Sequence, residues 1–126
     1  MPQAQTVVVA DDEVIVLNFV SLVLRKAGFH VLSALGSKQA LELVQKSAEP
    51  VSMAVLDMVM PELSGPDVYA RLLEIYPQMR AVFLTGYNAP EAGVPAGCGF
   101  LTKPFTAAEL LRGVRETWER PITQRA

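Results

Sequence analysis

The sequence predicts an α/β domain of three layers, a parallel β-sheet covered on both faces by helices. Three observations lead there. The strand-like runs are apolar throughout instead of alternating, helix-length segments with their own start and stop residues separate them, and no repeat or low-complexity stretch interrupts the pattern. A strand covered on both faces has no wet side, and the helix between two such strands provides the crossover that parallel pairing needs.

The elements follow in order. TVVVA, Thr6 to Ala10, is a β-branched first strand, and Val14 to Ala27 is a helix-length segment that stops at Gly28, a natural C-terminal cap. On a helical wheel Val16, Phe19, Val20 and Val23 form its core face, while Asn18, Ser21 and Arg25 mark the wet side. Ile15 and Leu22 lie on one flank and Leu17 and Leu24 on the other, so the apolar arc is wider than one buried face requires. HVLSA, His30 to Ala34, reads as the second strand, and Ser37 is placed to cap a helix over Lys38 to Ser47. After Pro50, VSMAVLD forms the third strand, and a helix runs from about Pro66 to Tyr76 with proline in its first turn. RAVFLTG, Arg80 to Gly86, is the fourth strand and GFLTK, Gly99 to Lys103, a short fifth. Thr106 and Glu109 stand at capping-box spacing ahead of a last helix that carries Leu110, Leu111, Val114 and Trp118.

Composition bounds the function. The 126 residues, 51% of them hydrophobic, suit a single domain over residues 1–126, with its core at about 6–118 and ERPITQRA, 119–126, as a tail or linker. A net charge of -2 gives no basic footprint for direct contact with nucleic acid or anionic lipid. No uninterrupted apolar segment is long enough to span a bilayer, and MPQAQT lacks the charged start and apolar stretch of a signal peptide, so no membrane and a cytoplasmic location are expected. Cys98, the single cysteine, excludes an internal disulfide and reads as a packing residue. His30 opens a strand far from the acidic edge and reads as structural or exposed.

In open parallel sheets the chemistry gathers at the carboxyl ends of the strands. Here the first strand leads into Asp11 and Asp12, the third ends on Asp57, the fourth on Thr85 and the fifth on Thr102 and Lys103. Three carboxylates against one ammonium leave that edge near -2 when all are ionised. Such crowding is unfavourable without a cation. Oxygen ligands in small number suit Mg²⁺, which commonly bridges a carboxylate to a phosphoryl oxygen. Thr85 can donate to an oxygen and Lys103 suits phosphate as a point charge, so the edge is suited to phosphoryl transfer.

The acidic pair in VVVADDE, the aspartate in VLDMVMPELSG, the threonine in FLTG and the lysine in LTKPF resemble the response-regulator receiver domain of two-component signalling, from about Thr6 to Trp118. The resemblance implies a flavodoxin-like, CheY-like fold with strand order 2-1-3-4-5 and five helices. It implies Asp57 as acceptor of a phosphoryl group from a phosphohistidine on a histidine kinase or histidine phosphotransfer protein. Mg²⁺ would be held by Asp12, Asp57 and the backbone carbonyl of Val59, with Asp11 acting through a metal-bound water. Lys103 would pair with the acceptor and then with the phosphoryl group, and Thr85 would move to bond a phosphoryl oxygen. Phe100 matches the switch aromatic that turns inward when the threonine moves, and the Lys103–Pro104 bond would be cis. Part of the α-helical flank bearing Ile15 and Leu22 is expected to dock the phosphodonor or a second copy of the domain as a homodimer.

Three positions depart from the family pattern. Val59 is apolar where many receivers are polar, and Tyr87 stands two residues after Thr85; together they are expected to govern water access to an aspartyl phosphate. GYNAPEAGVPAGCG, residues 86–99, is short for its place and holds Pro90, Gly93, Pro95, Gly97 and Gly99. Proline and glycine at that density disfavour a helix, so the fourth of the five is expected to be short, distorted or missing, as in receivers attached to hybrid sensor kinases. A metal-dependent phosphatase with a nucleophilic aspartate would need a second acid at position 59. A flavin-binding protein would need a phosphate cradle where this chain has DDE. A receiver that serves as a binding module without phosphorylation is the remaining rival, and the full acid, hydroxyl and lysine set argues against it.

Overall fold

The computed structural model describes residues 5–86 and 93–120. Five strands, β1 (Thr6–Asp11), β2 (His30–Leu35), β3 (Val51–Asp57), β4 (Arg80–Thr85) and β5 (Gly99–Thr102), form one sheet in the order β2-β1-β3-β4-β5. Every neighbouring pair is parallel, with Ala10 beside Leu56, Asp57 beside Leu84 and Thr85 beside Thr102. Among the described residues four helices cover the sheet: α1 (Val14–Lys26), α2 (Ser37–Lys46), α3 (Gly65–Ile75) and α4 (Ala107–Glu119).

The two-residue period of a strand divides the core. Val7 and Val9 of β1 face α1 and α4, where they meet Leu17, Val20, Leu24, Leu110 and Val114. Val8 and Ala10 face α2 and α3 and pack with Ala40, Val44, Val68 and Leu72. Burial on both faces explains the unbroken apolar runs.

Local chemistry fixes the helix ends. Gly28 takes φ 103° after α1; its N–H donates to the Arg25 carbonyl (3.0 Å), and the Phe29 N–H donates to that of Leu24 (3.1 Å). This pair of bonds closes the helix as a Schellman motif. Ser64 caps α3 by accepting from the Asp67 N–H, with Pro66 in the first turn. Thr106 and Glu109 form the expected capping box on α4.

Two expectations are corrected, and a third falls largely outside the described residues. Ser37 does not cap α2: Gly36 holds the cap position at φ 99°, and the buried Ser37 hydroxyl donates to the Pro61 carbonyl instead (3.0 Å). The core face of α1 is turned about one position, onto Leu17, Val20, Ser21 and Leu24. Ser21, expected to be wet, is buried because Ser33 on β2 gives its hydroxyl a partner at 2.9 Å, while Phe19 leaves the core to pack beside Phe105. Five helices were implied by resemblance. No α-helix lies between β4 and β5 among the described residues, and residues 87–92, on which the shortened helix and Tyr87 fall, lie outside them. Of the tail expected at 119–126, Glu119 closes α4 and residues 121–126 also lie outside the described part. His30 is exposed beside Glu49, and Cys98 is partly buried against the core.

Candidate functional site

The carboxyl ends of β1, β3, β4 and β5 meet at one edge. β1 ends on Asp11, fully buried, and Asp12 follows in the exposed turn before α1. β3 ends on Asp57, 6% exposed, and two backbone bonds then hold the chain in a tight loop: Met58 N–H to the Leu84 carbonyl (2.9 Å) and Gly65 N–H to the Met58 carbonyl (3.0 Å). Gly65 is demanded there, because a Cβ would overlap the Asp57 carbonyl oxygen. Lys103 follows β5, tied by its backbone N–H to the Thr85 carbonyl (2.8 Å), and its bond to Pro104 is cis.

One carboxylate oxygen from each of Asp11, Asp12 and Asp57 lies within 4.8 Å of the others. Lys103 Nζ stands 3.1 Å from Asp11 Oδ2, 3.4 Å from Asp57 Oδ1 and 2.8 Å from Glu13 Oε1. The contact with Asp11 is an ion pair without hydrogen-bond geometry, so the buried Oδ2 has no hydrogen-bond partner. Burial and then the neighbouring Asp11 charge push the Asp57 carboxyl up from 3.8 to about 7, against the opposing pull of Lys103. Burial works against the charge on Lys103, but its contacts with Glu13 and Asp11 and the Asp57 charge outweigh that and raise its affinity for a proton. Hydrogen bonding to Lys103 holds the Glu13 carboxyl below its usual range.

An unsatisfied buried carboxylate oxygen, a second acid with a raised pKa and a third in solvent form a set that fits a hard cation. The three aspartates could hold such a metal ion.

The other expected residues are placed as follows. The buried Thr85 hydroxyl donates toward the Leu101 carbonyl and Thr102 Oγ1, both at 3.3 Å, and so points along β5. Phe100 is 38% exposed on the same strand. The Val59 side chain is exposed, while its backbone N–H bonds the Asp57 carboxylate. Glu13 was overlooked as a site residue. Its place directly after the acidic pair was visible, but its reach to Lys103, 90 residues away, was not.

Residues 7–115 match the family model of the response regulator receiver domain. The chain belongs to that family. It is 32% identical over 114 residues to the response regulator receiver protein CpdR of Brucella abortus, covering 87% of this chain and 93% of that protein. It is 33% identical to sensor kinase CckA of the same organism, of which it covers 13% against 91% of itself. Among solved structures, a response regulator receiver protein from Sinorhizobium medicae superposes with a TM-score of 0.80 at 31% identity, covering 90% of this chain and 94% of the other. A receiver domain protein from Clostridium thermocellum gives 0.79 at 29%, over 90% and 93%. Receiver domains are the phosphoacceptor modules of two-component signalling, and this receiver shares that role. Its fold is the CheY-like one, with the strand order that the sequence implied. Among the described residues no helix of the receiver is long and apolar enough to cross a membrane.

Proposed function

We propose that Asp57 is the phosphoacceptor, taking a phosphoryl group from a phosphohistidine of a histidine kinase or histidine phosphotransfer protein. An Asp57 carboxylate oxygen attacks phosphorus, the P–N bond breaks, and its electron pair leaves on the donor imidazole. The observation that carries this reading is the meeting of three strand-end aspartates with the Lys103 ammonium, 3.4 Å from Asp57 Oδ1. Mg²⁺, held by Asp12, Asp57 and the Val59 carbonyl with Asp11 behind a water, would neutralise charge between the acids and the incoming phosphoryl oxygens. Lys103 stabilises the negative charge gathered on the transferred group, and Thr85 exchanges its bond to β5 for one to a phosphoryl oxygen. That exchange frees the space beside β5 toward which the half-exposed Phe100 turns, which changes the protein-binding face.

The receiver assists its own phosphorylation and is not an enzyme acting on other substrates. A groove of about 380 Å³ adjoins the pocket, with Glu13 and Lys103 at one end and Ile15, Phe19 and Phe105 along it. Because it is continuous with the site, its occupant is the apolar face of the phosphodonor, which has to bring its histidine to Asp57, and not a second copy of the receiver. This reading goes with a cytoplasmic location and, at a net charge of -2, with no direct contact of this domain with nucleic acid or membrane. Mass spectrometry after treatment with acetyl phosphate and Mg²⁺ tests the assignment. A single phosphoryl adduct that is absent from Asp57→Asn is expected. An adduct that survives the substitution, or repeated turnover of the donor, would refute it.

A further inference from the structure

Three carboxylates share the Lys103 ammonium, and they are not equivalent. Asp11 and Asp57 are buried at 3.1 and 3.4 Å, whereas the exposed Glu13 holds the shortest contact, 2.8 Å. Glu13 occupies the N-cap position of α1, yet its side chain makes no capping bond, its carboxylate being turned to Lys103. Its backbone N–H donates to Asp11 Oδ1 (2.8 Å), so Asp11 fixes the chain at Glu13 and stands beside Lys103 with its other oxygen.

We propose that Glu13 is a latch on Lys103, a positioning residue that competes with the phosphoryl group for the ammonium and so lowers the affinity of the site for it. The proposal rests on the assignment of Asp57 and Lys103 given above. Among the described residues the ammonium hydrogen-bonds Glu13 alone, its contacts with Asp11 and Asp57 being ion pairs without hydrogen-bond geometry. A phosphoryl group on Asp57 takes the place of the Asp57 contact and brings three acceptor oxygens, which draw the ammonium away from the one hydrogen bond it now makes, to Glu13. Asp11 is fully buried and held in place by the Glu13 backbone N–H on its Oδ1. The Glu13 side chain is 62% exposed, and solvent takes up its charge at little cost. Glu13 is therefore the partner released.

Titrating the full chain with beryllofluoride, a phosphoryl mimic, at saturating Mg²⁺ and following the bound species by fluorine NMR tests the latch. Glu13→Gln removes the charge and leaves a neutral amide oxygen, a weaker acceptor for the ammonium. Glu13→Asp keeps the charge and withdraws it by about 1.5 Å, the length of one carbon–carbon bond. Half-saturation is expected to fall about two- to fivefold in both variants, the range that an exposed ion pair supports, with the thermal melt of Glu13→Gln unchanged. Wild-type affinity in both variants would overturn the latch. A fall in Glu13→Gln alone would overturn it too, by showing that charge acts without contact. Failure of the wild-type chain to bind beryllofluoride would instead overturn the assignment of Asp57.

Discussion

α1 and α4 are each 13 residues long and pack on the same face of the sheet, yet their sequences serve different ends. α4 starts with a complete capping box, buries Leu110, Val114 and Thr117, and turns polar residues such as Arg112 and Glu116 outward. α1 starts on a residue whose side chain makes no cap, has no acid in its first turn, and exposes Ile15 (81%) and Leu22 (53%). Capping and the burial of apolar surface are the ordinary sources of helix stability. α4 uses both. α1 gives up the first to Lys103 and part of the second to an apolar surface beside the acidic pocket. The contrast shows that the helix next to the acidic pocket is shaped by it, while the helix over β4 and β5 is shaped by packing.

The largest effect expected is on α4. Leu110→Ala should destabilise the receiver by about 2–5 kcal/mol and Thr106→Ala by about 1 kcal/mol in denaturant melts. Acetyl phosphate should still label the folded fraction of each. Loss of labelling in a folded Thr106→Ala would break the division of labour between the helices.

The next effect concerns the pocket at the start of α1. The Asp57 carboxyl titrates at about 7 in the fold against 3.8 unperturbed, so between those values the folded receiver binds more protons than the unfolded chain. Stability from this group is thus full below about 4 and declines as pH rises toward 7. Asp57→Asn should remove that decline and raise Tm at pH 8 by roughly 4–8 °C, the equivalent of about 1–2 kcal/mol for a domain of this size. Calorimetric scans from pH 4 to 8 check the sign. A lower Tm at pH 8 in Asp57→Asn would mean that Lys103 more than offsets the repulsion.

The smallest effect on stability, with a loss of function confined to protein donors, is expected at Ile15. Ile15→Glu on this exposed site should change stability by less than about 0.5 kcal/mol. It should slow transfer from a phosphohistidine protein by about tenfold or more and leave labelling by acetyl phosphate intact. Equal loss with both donors would remove the groove from the docking surface.

The legible and illegible parts of the molecule divide by range. Each strand, the proline start of α3, the α4 cap and the Gly28 stop were readable because the deciding groups lie within a turn or two of one another in the chain. The gathering of Asp11, Asp57, Thr85 and Lys103 at one edge was readable because in a parallel sheet every strand points its carboxyl end the same way. The helical wheel of α1 failed by one position. An apolar arc as wide as that of α1 fits the core in more than one rotation, and the choice fell to partners on other elements, Ser33 for Ser21 and Phe105 for Phe19.

The sequence by itself therefore determined the layers, the strand order implied by family pattern and the edge at which the acids gather, since periodicity and turn chemistry act locally. The tertiary structure alone decided which way α1 rolls and which acid takes the Lys103 ammonium. Both depend on distances between groups as far as 90 residues apart, and a Coulombic or packing preference at that separation exists only after the chain has closed.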